Sequence, residues 1–341
     1  MNLWWWLPLV IFLAVLLTGV LRRYALTHSL IDTPNARSSH SIPTPRGGGV
    51  AIVVVFLLGL PVLALIGEVS WASVWSLLGS GAAVAALGFL DDHGHIAARW
   101  RLLGHFVSAI WALLWIGGLP PLAVFGISLD LGWLGYALAA IYLVWMLNLY
   151  NFMDGIDGIA SLEAICVCLG GAALYYLVGE SASAILPMTL ACAVLGFLFW
   201  NFPPARIFMG DAGSGFLGLT LGTLSLQAAW TKPELLWSWI ILLGVFVVDA
   251  TFTLLRRLLR GDKVYEAHRS HAYQYASRHF GKHLPVTLAV GVINIIWLLP
   301  IALWVGLGGV DGLLGVLIAY TPLVVLAILY SAGKLEQPPA T

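Results

Sequence analysis

Residues 3–21 read Leu-Trp-Trp-Trp-Leu-Pro-Leu-Val-Ile-Phe-Leu-Ala-Val-Leu-Leu-Thr-Gly-Val-Leu, and Arg22-Arg23 follow at once. At about 1.5 Å per residue, a helix of this length matches the roughly 30 Å hydrocarbon core of a bilayer. A cleaved signal peptide carries its positive charge before the apolar stretch and a small-residue site after it. Here the arginines come after it and no A-x-A pattern is present. The stretch therefore reads as a retained first helix with its N-terminus outside.

The same signal recurs along the chain. Of 341 residues, 60% are hydrophobic and 9% charged, against roughly a quarter charged in a soluble domain. Apolar runs at 3–21, 47–66, 71–90, 103–117, 133–150, 159–178, 183–200, 215–230, 235–254, 285–306 and 313–331 predict an all-α, polytopic membrane bundle of about eleven transmembrane helices. Residues 1–341 then form a single integral membrane domain, with its termini on opposite sides. Fifteen of the sixteen Lys and Arg residues fall on one face of that arrangement, Lys232 alone on the other. The positive-inside rule makes that face cytoplasmic, so the N-terminus is expected in the periplasm and the C-terminus in the cytoplasm.

The outer face carries short connections and isolated acids (Glu68, Asp130, Glu180, Glu234, Asp311). Trp4–Trp6, Trp71, Trp133, Trp230 and Trp237 lie near predicted helix ends there and suit an interfacial aromatic belt. Cys166, Cys168 and Cys192 sit inside apolar runs, an odd count that argues for packing rather than a disulfide or zinc framework. The formal net charge is zero, and no nucleic-acid partner is expected.

The chemistry gathers in cytoplasmic loops near 22–46, 91–102, 151–158, 201–214 and 255–284. Eight of nine His residues lie there, His105 being the exception. Asp91-Asp92 ends the third run; adjacent carboxylates near low dielectric favour a cation or a proton-transfer role over a plain solvated end. Asn148-Leu-Tyr-Asn151-Phe-Met-Asp154-Gly-Ile-Asp157-Gly follows the fifth. If helical, its three-residue offsets place Asn151, Asp154 and Asp157 on one face, and its glycines let a ligand or backbone approach. Gly210-Asp211-Ala-Gly213-Ser214 offers one acid among small residues, suited to magnesium beside phosphate; a Gly-rich turn is the plainer reading. In the largest loop, Arg256, Arg257 and Arg260 suit topology and anionic lipid. Arg269 and His271, grouped with His268, suit phosphate recognition and acid–base work. A zinc site from these histidines lacks Cys and a regular His spacing. Glu163 and Asp249 lie within spans and suit helix–helix or arginine pairing.

Taken in order, these segments resemble the polyprenyl-phosphate N-acetylhexosamine-1-phosphate transferases, the group of the undecaprenyl-phosphate GlcNAc-1-phosphate transferase and the phospho-MurNAc-pentapeptide translocase. The likeness runs from about Asp32 to His271. It rests on Asp32-Thr-Pro34-Asn-Ala-Arg37-Ser-Ser-His40, Pro43-Thr-Pro45-Arg46-Gly47-Gly48, Asp91-Asp92, Asn151-Phe-Met-Asp154-Gly-Ile-Asp157-Gly, Phe208-Met-Gly-Asp211-Ala-Gly-Ser214 and Arg269-Ser-His271. Two departures stand out. Where the family often has D-D-x-x-D or D-D-x-x-K, the fifth position is His95. Where it often has H-x-H-H, this chain has His271-Ala-Tyr273-Gln274. Both resemble the branch that starts O-antigen or related surface glycans.

The resemblance implies transfer of a sugar-1-phosphate from a UDP-N-acetylamino sugar (N-acetylfucosamine, N-acetylquinovosamine or GlcNAc) to undecaprenyl phosphate, with release of UMP. It implies a bacterial inner-membrane enzyme with its site facing the cytoplasm and Mg²⁺, or else Mn²⁺, as cofactor; a homodimer is compatible with it. Asp211 is expected to hold the metal with support from Asp154, and Asp91 and Asp92 to orient the lipid phosphate or take its proton. Asn151, Asp154 and Asp157 would shape the nucleotide side, with Arg269 and His271 on the diphosphate and His40, Arg46 and Gly48 binding substrate. The rival is a multi-span solute or lipid-linked sugar transporter, whose site would lie near the bilayer midplane. A CDP-alcohol phosphotransferase would need a D-G-x-x-A-R signature that this chain lacks.

Overall fold

The computed structural model describes residues 5–34, 39–40, 42–94, 96–262 and 268–335. Trp4, Arg37 and His95, named above, lie outside the described residues.

Every predicted run is helical. The helices are α1 (Trp6–Thr27), α2 (Val50–Leu65), α3 (Trp71–His93), α4 (Ala98–Ile116), α5 (Gly132–Met153), α6 (Ile159–Leu177), α7 (Ile185–Asn201), α8 (Asp211–Thr231), α9 (Glu234–Leu242), α10 (Gly244–Leu259), α11 (Ala272–Phe280), α12 (Leu284–Val292), α13 (Leu299–Gly306) and α14 (Gly312–Leu329). Among the described residues, seven stretches are long and apolar enough to cross a membrane, each as one continuous span.

The ninth predicted span, 235–254, is not one helix: α9 and α10 meet at an angle of 73° around Leu243. Gly244 opens α10 there, and an added Cβ would stand 2.9 Å from the Tyr320 ring. The close packing of α14 against this corner thus depends on a residue without a side chain. Counted as one broken span, the pair makes an eighth crossing. The other three predicted spans are α2, only sixteen residues long, α4, with Arg99 and Arg101 in its first turn, and α8.

Helix α8 is the axis of the site. It packs against both α3 and α5, and nearly every residue from Ala212 to Ala229 is buried. Its glycines at 213, 215, 218 and 222 let neighbouring backbones come close, the pattern that drives helix association in lipid. A buried helix needs fewer large apolar side chains than a lipid-facing one, which accounts for its modest hydropathy.

Among the described residues two short strand pairs are present, neither predicted. One pairs β1 (Ile31–Asp32) with β2 (Thr44–Pro45) in antiparallel register, Ile31 opposite Pro45 and Asp32 opposite Thr44. The other pairs β3 (Leu122–Val124) with β4 (Ile127–Leu129). Within the tenth predicted span, Ile293–Leu298 is wound as a π-helix between α12 and α13. Its Asn294 donates to buried Glu163 at 2.6 Å, so Glu163 ties helices together. Asp249 ties α10 to α11 instead, accepting from the amides of Ala272 at 2.9 Å and Tyr273 at 3.0 Å.

Candidate active site

The first four amides of a helix lack intrahelical partners and favour negative charge. At the start of α8 those amides meet a carboxylate from another helix. Asp92, in the last turn of α3, accepts from the backbone N–H of Asp211 at 3.0 Å and of Ala212 at 3.5 Å. This close approach relies on two glycines. Gly210 has φ +80° and ψ 167°, a conformation other residues rarely adopt. A Cβ on it would stand 2.8 Å from Asp92 Oδ2, and one on Gly88 would stand 2.5 Å from the Ala212 nitrogen.

The Asp211 side chain turns to the same point. Arg46 Nη2 lies 2.7 Å from Asp92 Oδ1 and 2.5 Å from Asp211 Oδ1. One guanidinium nitrogen therefore bridges two carboxylates. Burial alone would lower the pKa of Arg46, but Asp211 and Asp92 outweigh it and hold the guanidinium above its ordinary value.

The residues of the Asn151–Asp157 segment reach one cavity, but not by sharing a helix face. Helix α5 stops at Met153, Asp154 follows as its cap, and Gly158 has φ +73°. The one-face expectation is thus corrected: Asn151 stands on the last turn of α5, Asp154 is its cap, and Asp157 comes from the loop that turns at Gly158. Asn151 Nδ2 donates to Ser214 Oγ at 3.0 Å. Burial, with Asp211, Asp92 and Asp157 adding to it against Arg46, pushes the Asp154 carboxyl well above the usual carboxylate range. Asp157 is tied on two sides: its Oδ2 accepts from Ala205 N at 3.0 Å, and its Oδ1 lies 3.1 Å from His283 Nδ1.

Asp32, His40, Arg46, Asn151, Asp154, Asp157 and Asp211 line a cavity of about 190 Å³, together with Gln274 and His283. His40 rests edge-on against Phe208, with ring centroids 4.8 Å apart. His283 was missed by sequence reasoning, since Lys282-His283-Leu284 matches no motif used above. Its Nε2 lies 2.9 Å from the Ser39 carbonyl, and its Nδ1 faces Asp157, whose backbone N–H lies 3.3 Å away. Burial opposes a charge on the ring, but Asp157 and the Ser39 carbonyl raise the His283 pKa overall.

Asp91 faces elsewhere. Its carboxylate pairs with Arg101 and accepts from Ile96 N at 3.0 Å. Both side chains line a second cavity of about 180 Å³, with His105, Asn148 and the apolar Leu87, Leu102 and Leu147. Asn151 and Asp211 line both cavities, so one thin wall of polar side chains separates the two spaces.

Four predicted site residues line neither cavity: Asp92, which borders a neighbouring space of about 330 Å³ with Arg46, and Gly48, His271 and Arg269. Gly48 is buried, its amide donates to the Phe208 carbonyl at 2.9 Å, and Phe197 and Ile207 fill the room beside it. His271 is 3% exposed, 3.3 Å from Asp249 and stacked on His268 with centroids 4.9 Å apart. Burial, then His271 and Arg257, push His268 down to about 3, so a neutral imidazole packs there. Arg269 is half-buried in the turn before α11, and its carbonyl accepts from Arg278 at 3.3 Å. From this segment it is Gln274, one turn further on, that reaches the cavity.

Among the described residues no three His, Cys, Asp or Glu side chains form a cage for a metal ion. The donor set is instead two carboxylates, Asp92 and Asp211, already drawn onto one cation. That fits Mg²⁺, which takes one or two protein carboxylates and completes its shell with water and phosphate oxygens.

Residues 74–229 match the description glycosyl transferase family 4. The chain is 30% identical over 292 residues to "Probable undecaprenyl-phosphate N-acetylglucosaminyl 1-phosphate transferase" of Bacillus subtilis (strain 168), covering 83% of this chain and 79% of the relative. It is 30% identical over 324 residues to the decaprenyl-phosphate N-acetylglucosaminephosphotransferase of Mycolicibacterium smegmatis, covering 81% and 76%. With the phospho-N-acetylmuramoyl-pentapeptide-transferase of Moorella thermoacetica it shares 35% identity over 227 residues, 62% of this chain and 69% of the relative. The chain belongs to glycosyl transferase family 4, the polyprenyl-phosphate N-acetylhexosamine-1-phosphate transferases.

Proposed function

We propose that this protein transfers the sugar-1-phosphate of a UDP-N-acetylamino sugar to undecaprenyl phosphate. A phosphate oxygen of the lipid attacks the β-phosphorus, the bond to the bridging oxygen breaks, and UMP leaves. The observation that carries this reading is the pair of cavities meeting at Asn151 and Asp211. One is polar and suits a soluble nucleotide sugar. The other joins the Arg101–Asp91 pair to leucines that suit a prenyl chain.

Two phosphates of like charge must meet at that wall, so charge neutralisation is the central task. Bound Mg²⁺, or Mn²⁺, held by Asp211 and Asp92 with Asp154 in support, would supply neutralising charge on the diphosphate oxygens. Arg101, released from Asp91, would hold the lipid phosphate, and Asp91 is placed to take its proton if it still carries one. His40 and Gln274 line the donor side, and the Asp157–His283 pair fixes its wall.

In this scheme eleven spans place the chain in the bacterial inner membrane, with the N-terminus outside and the site facing the cytoplasm. Asp92, Asp154 and Asp211 all stand at helix ends, as an enzyme drawing on a soluble donor requires. The departure from H-x-H-H at His271-Ala-Tyr273-Gln274 supports a donor such as UDP-N-acetylfucosamine or UDP-N-acetylquinovosamine and a role in starting O-antigen or a related surface glycan. UDP-GlcNAc remains the comparison donor.

The test is a donor panel with purified protein and undecaprenyl phosphate, following UMP and the mass of the product lipid. Asp211→Asn should cut UMP release by about 10² or more, the scale for losing one charge-stabilising group. Near-normal rates at every Mg²⁺ concentration would remove Asp211 from the metal.

A further inference from the structure

A single nitrogen, Arg46 Nη2, lies within ion-pair distance of the two carboxylates best placed to bind a cation, at 2.7 Å from Asp92 and 2.5 Å from Asp211. A salt link on the rim of a site would leave the metal's oxygens free; this one engages both. We propose that Arg46 is the resting-state occupant of the cation position, which Mg²⁺ takes only when the donor diphosphate arrives with it. The inference rests on the metal reading given above.

Three features make displacement feasible. The Arg46 side chain is 36% exposed, so it is not locked in the interior. It lines the donor cavity and also a neighbouring space of about 330 Å³, bounded by Ser29, Thr33, Phe89 and His93. Asp32 lines both spaces too, and its charge already acts on Arg46. The released guanidinium therefore has room and a second carboxylate to move toward. On the other side it can grip the diphosphate in a fork, as arginine does with phosphate oxygens. Backbone anchoring keeps the exchange local: Arg46 N donates to the Leu30 carbonyl at 3.1 Å, and the Phe208 amide to the Pro45 carbonyl at 2.8 Å.

A metal that must first expel a bound cation binds with an affinity reduced by the fraction of sites still blocked. The free enzyme should thus bind metal weakly and the donor complex tightly. The arrangement also protects the site, since two neighbouring carboxylates without a counter-ion near low dielectric would repel each other.

The experiment is direct Mn²⁺ binding to the purified full-length protein in detergent, read as loss of the free-ion electron paramagnetic resonance signal, with no lipid substrate and no turnover. Arg46→Gln should bind Mn²⁺ at least tenfold more tightly than wild type. Arg46→Lys, which keeps the charge but loses the planar reach, should also tighten severalfold. Adding UDP-GlcNAc should tighten the wild type more than either variant. If neither variant binds Mn²⁺ more tightly, the proposal is overturned. Tightening in Arg46→Gln with Arg46→Lys at wild-type affinity marks a through-space charge effect and overturns it as well. Thermal melts report folding, and should Arg46→Gln not fold, Arg46→Lys decides alone. Failure of the wild type to bind Mn²⁺ even with the nucleotide sugar would sink the metal reading itself, an outcome distinct from the other two.

Discussion

Gly210→Ala isolates the contact on which the site geometry turns. Alanine at φ +80° and ψ 167° enters a region that costs about 1–3 kcal/mol for a residue with a Cβ. The new methyl would also stand 2.8 Å from Asp92 Oδ2, inside van der Waals contact. Something must shift, and the partner within reach is the carboxylate that caps α8 and pairs with Arg46. A displacement of about 1 Å at a reacting centre costs on the order of 10² in rate, so UMP release per enzyme should fall by about that factor. Gly261 supplies the control: its φ is +84°, yet nothing lies within 4 Å of an added Cβ. Gly261→Ala carries backbone strain without the clash and should keep near-normal turnover. The assay is UMP release under saturating donor and lipid, with a thermal melt beside it. If Gly210→Ala stays within threefold of wild type, Asp92 is not held by that contact as argued.

Three further outcomes follow from the same geometry. Arg101→Ala should raise KM for undecaprenyl phosphate by tenfold or more and leave the donor KM nearly unchanged, because Arg101 lines only the second of the two cavities; equal effects on both would merge the proposed subsites. Gln274→His should change the ranking of UDP-sugars in the donor panel, since residue 274 faces the first cavity; an unaltered ranking with normal folding would remove it from sugar selection. His283 is held above its ordinary pKa by Asp157 and the Ser39 carbonyl. The pair's stabilisation is therefore full below the unfolded value of about 6.5 and is lost as pH rises through the raised folded value. The melting-temperature gap between wild type and His283→Gln should be largest near pH 6 and shrink toward pH 9, and a gap that widens with pH would reverse the assignment.

The helices were legible because a bilayer demands long apolar runs, and residues 3–21 and 313–331 announce themselves on that ground alone. Asp92, Asp154 and Asp211 were legible because they sit at the ends of apolar runs, among small residues. What stayed hidden depends on tertiary approach. Nothing local to Leu243-Gly244 distinguishes a corner from a straight span; the neighbours packed at that corner, Tyr320 and Leu323 of α14, lie far along the chain. His283 joins the cavity through Asp157 and the Ser39 carbonyl, both more than a hundred positions earlier. His271 stands out in sequence through its neighbours Arg269 and His268, yet it lines neither cavity and lies instead 3.3 Å from Asp249, stacked on the ring of His268. Arg46 was read as a substrate ligand, and only the distances put it between two carboxylates.

Asp92 does two jobs with one carboxylate: it caps the start of a helix from another part of the chain, and it pairs with Arg46 beside Asp211. An inactive Asp92 variant would therefore be a poor mimic of the resting enzyme for trapping substrates, because the start of α8 would loosen along with the chemistry. Asp211→Asn leaves its own backbone amide on Asp92 undisturbed and is the better choice for capturing both ligands in place.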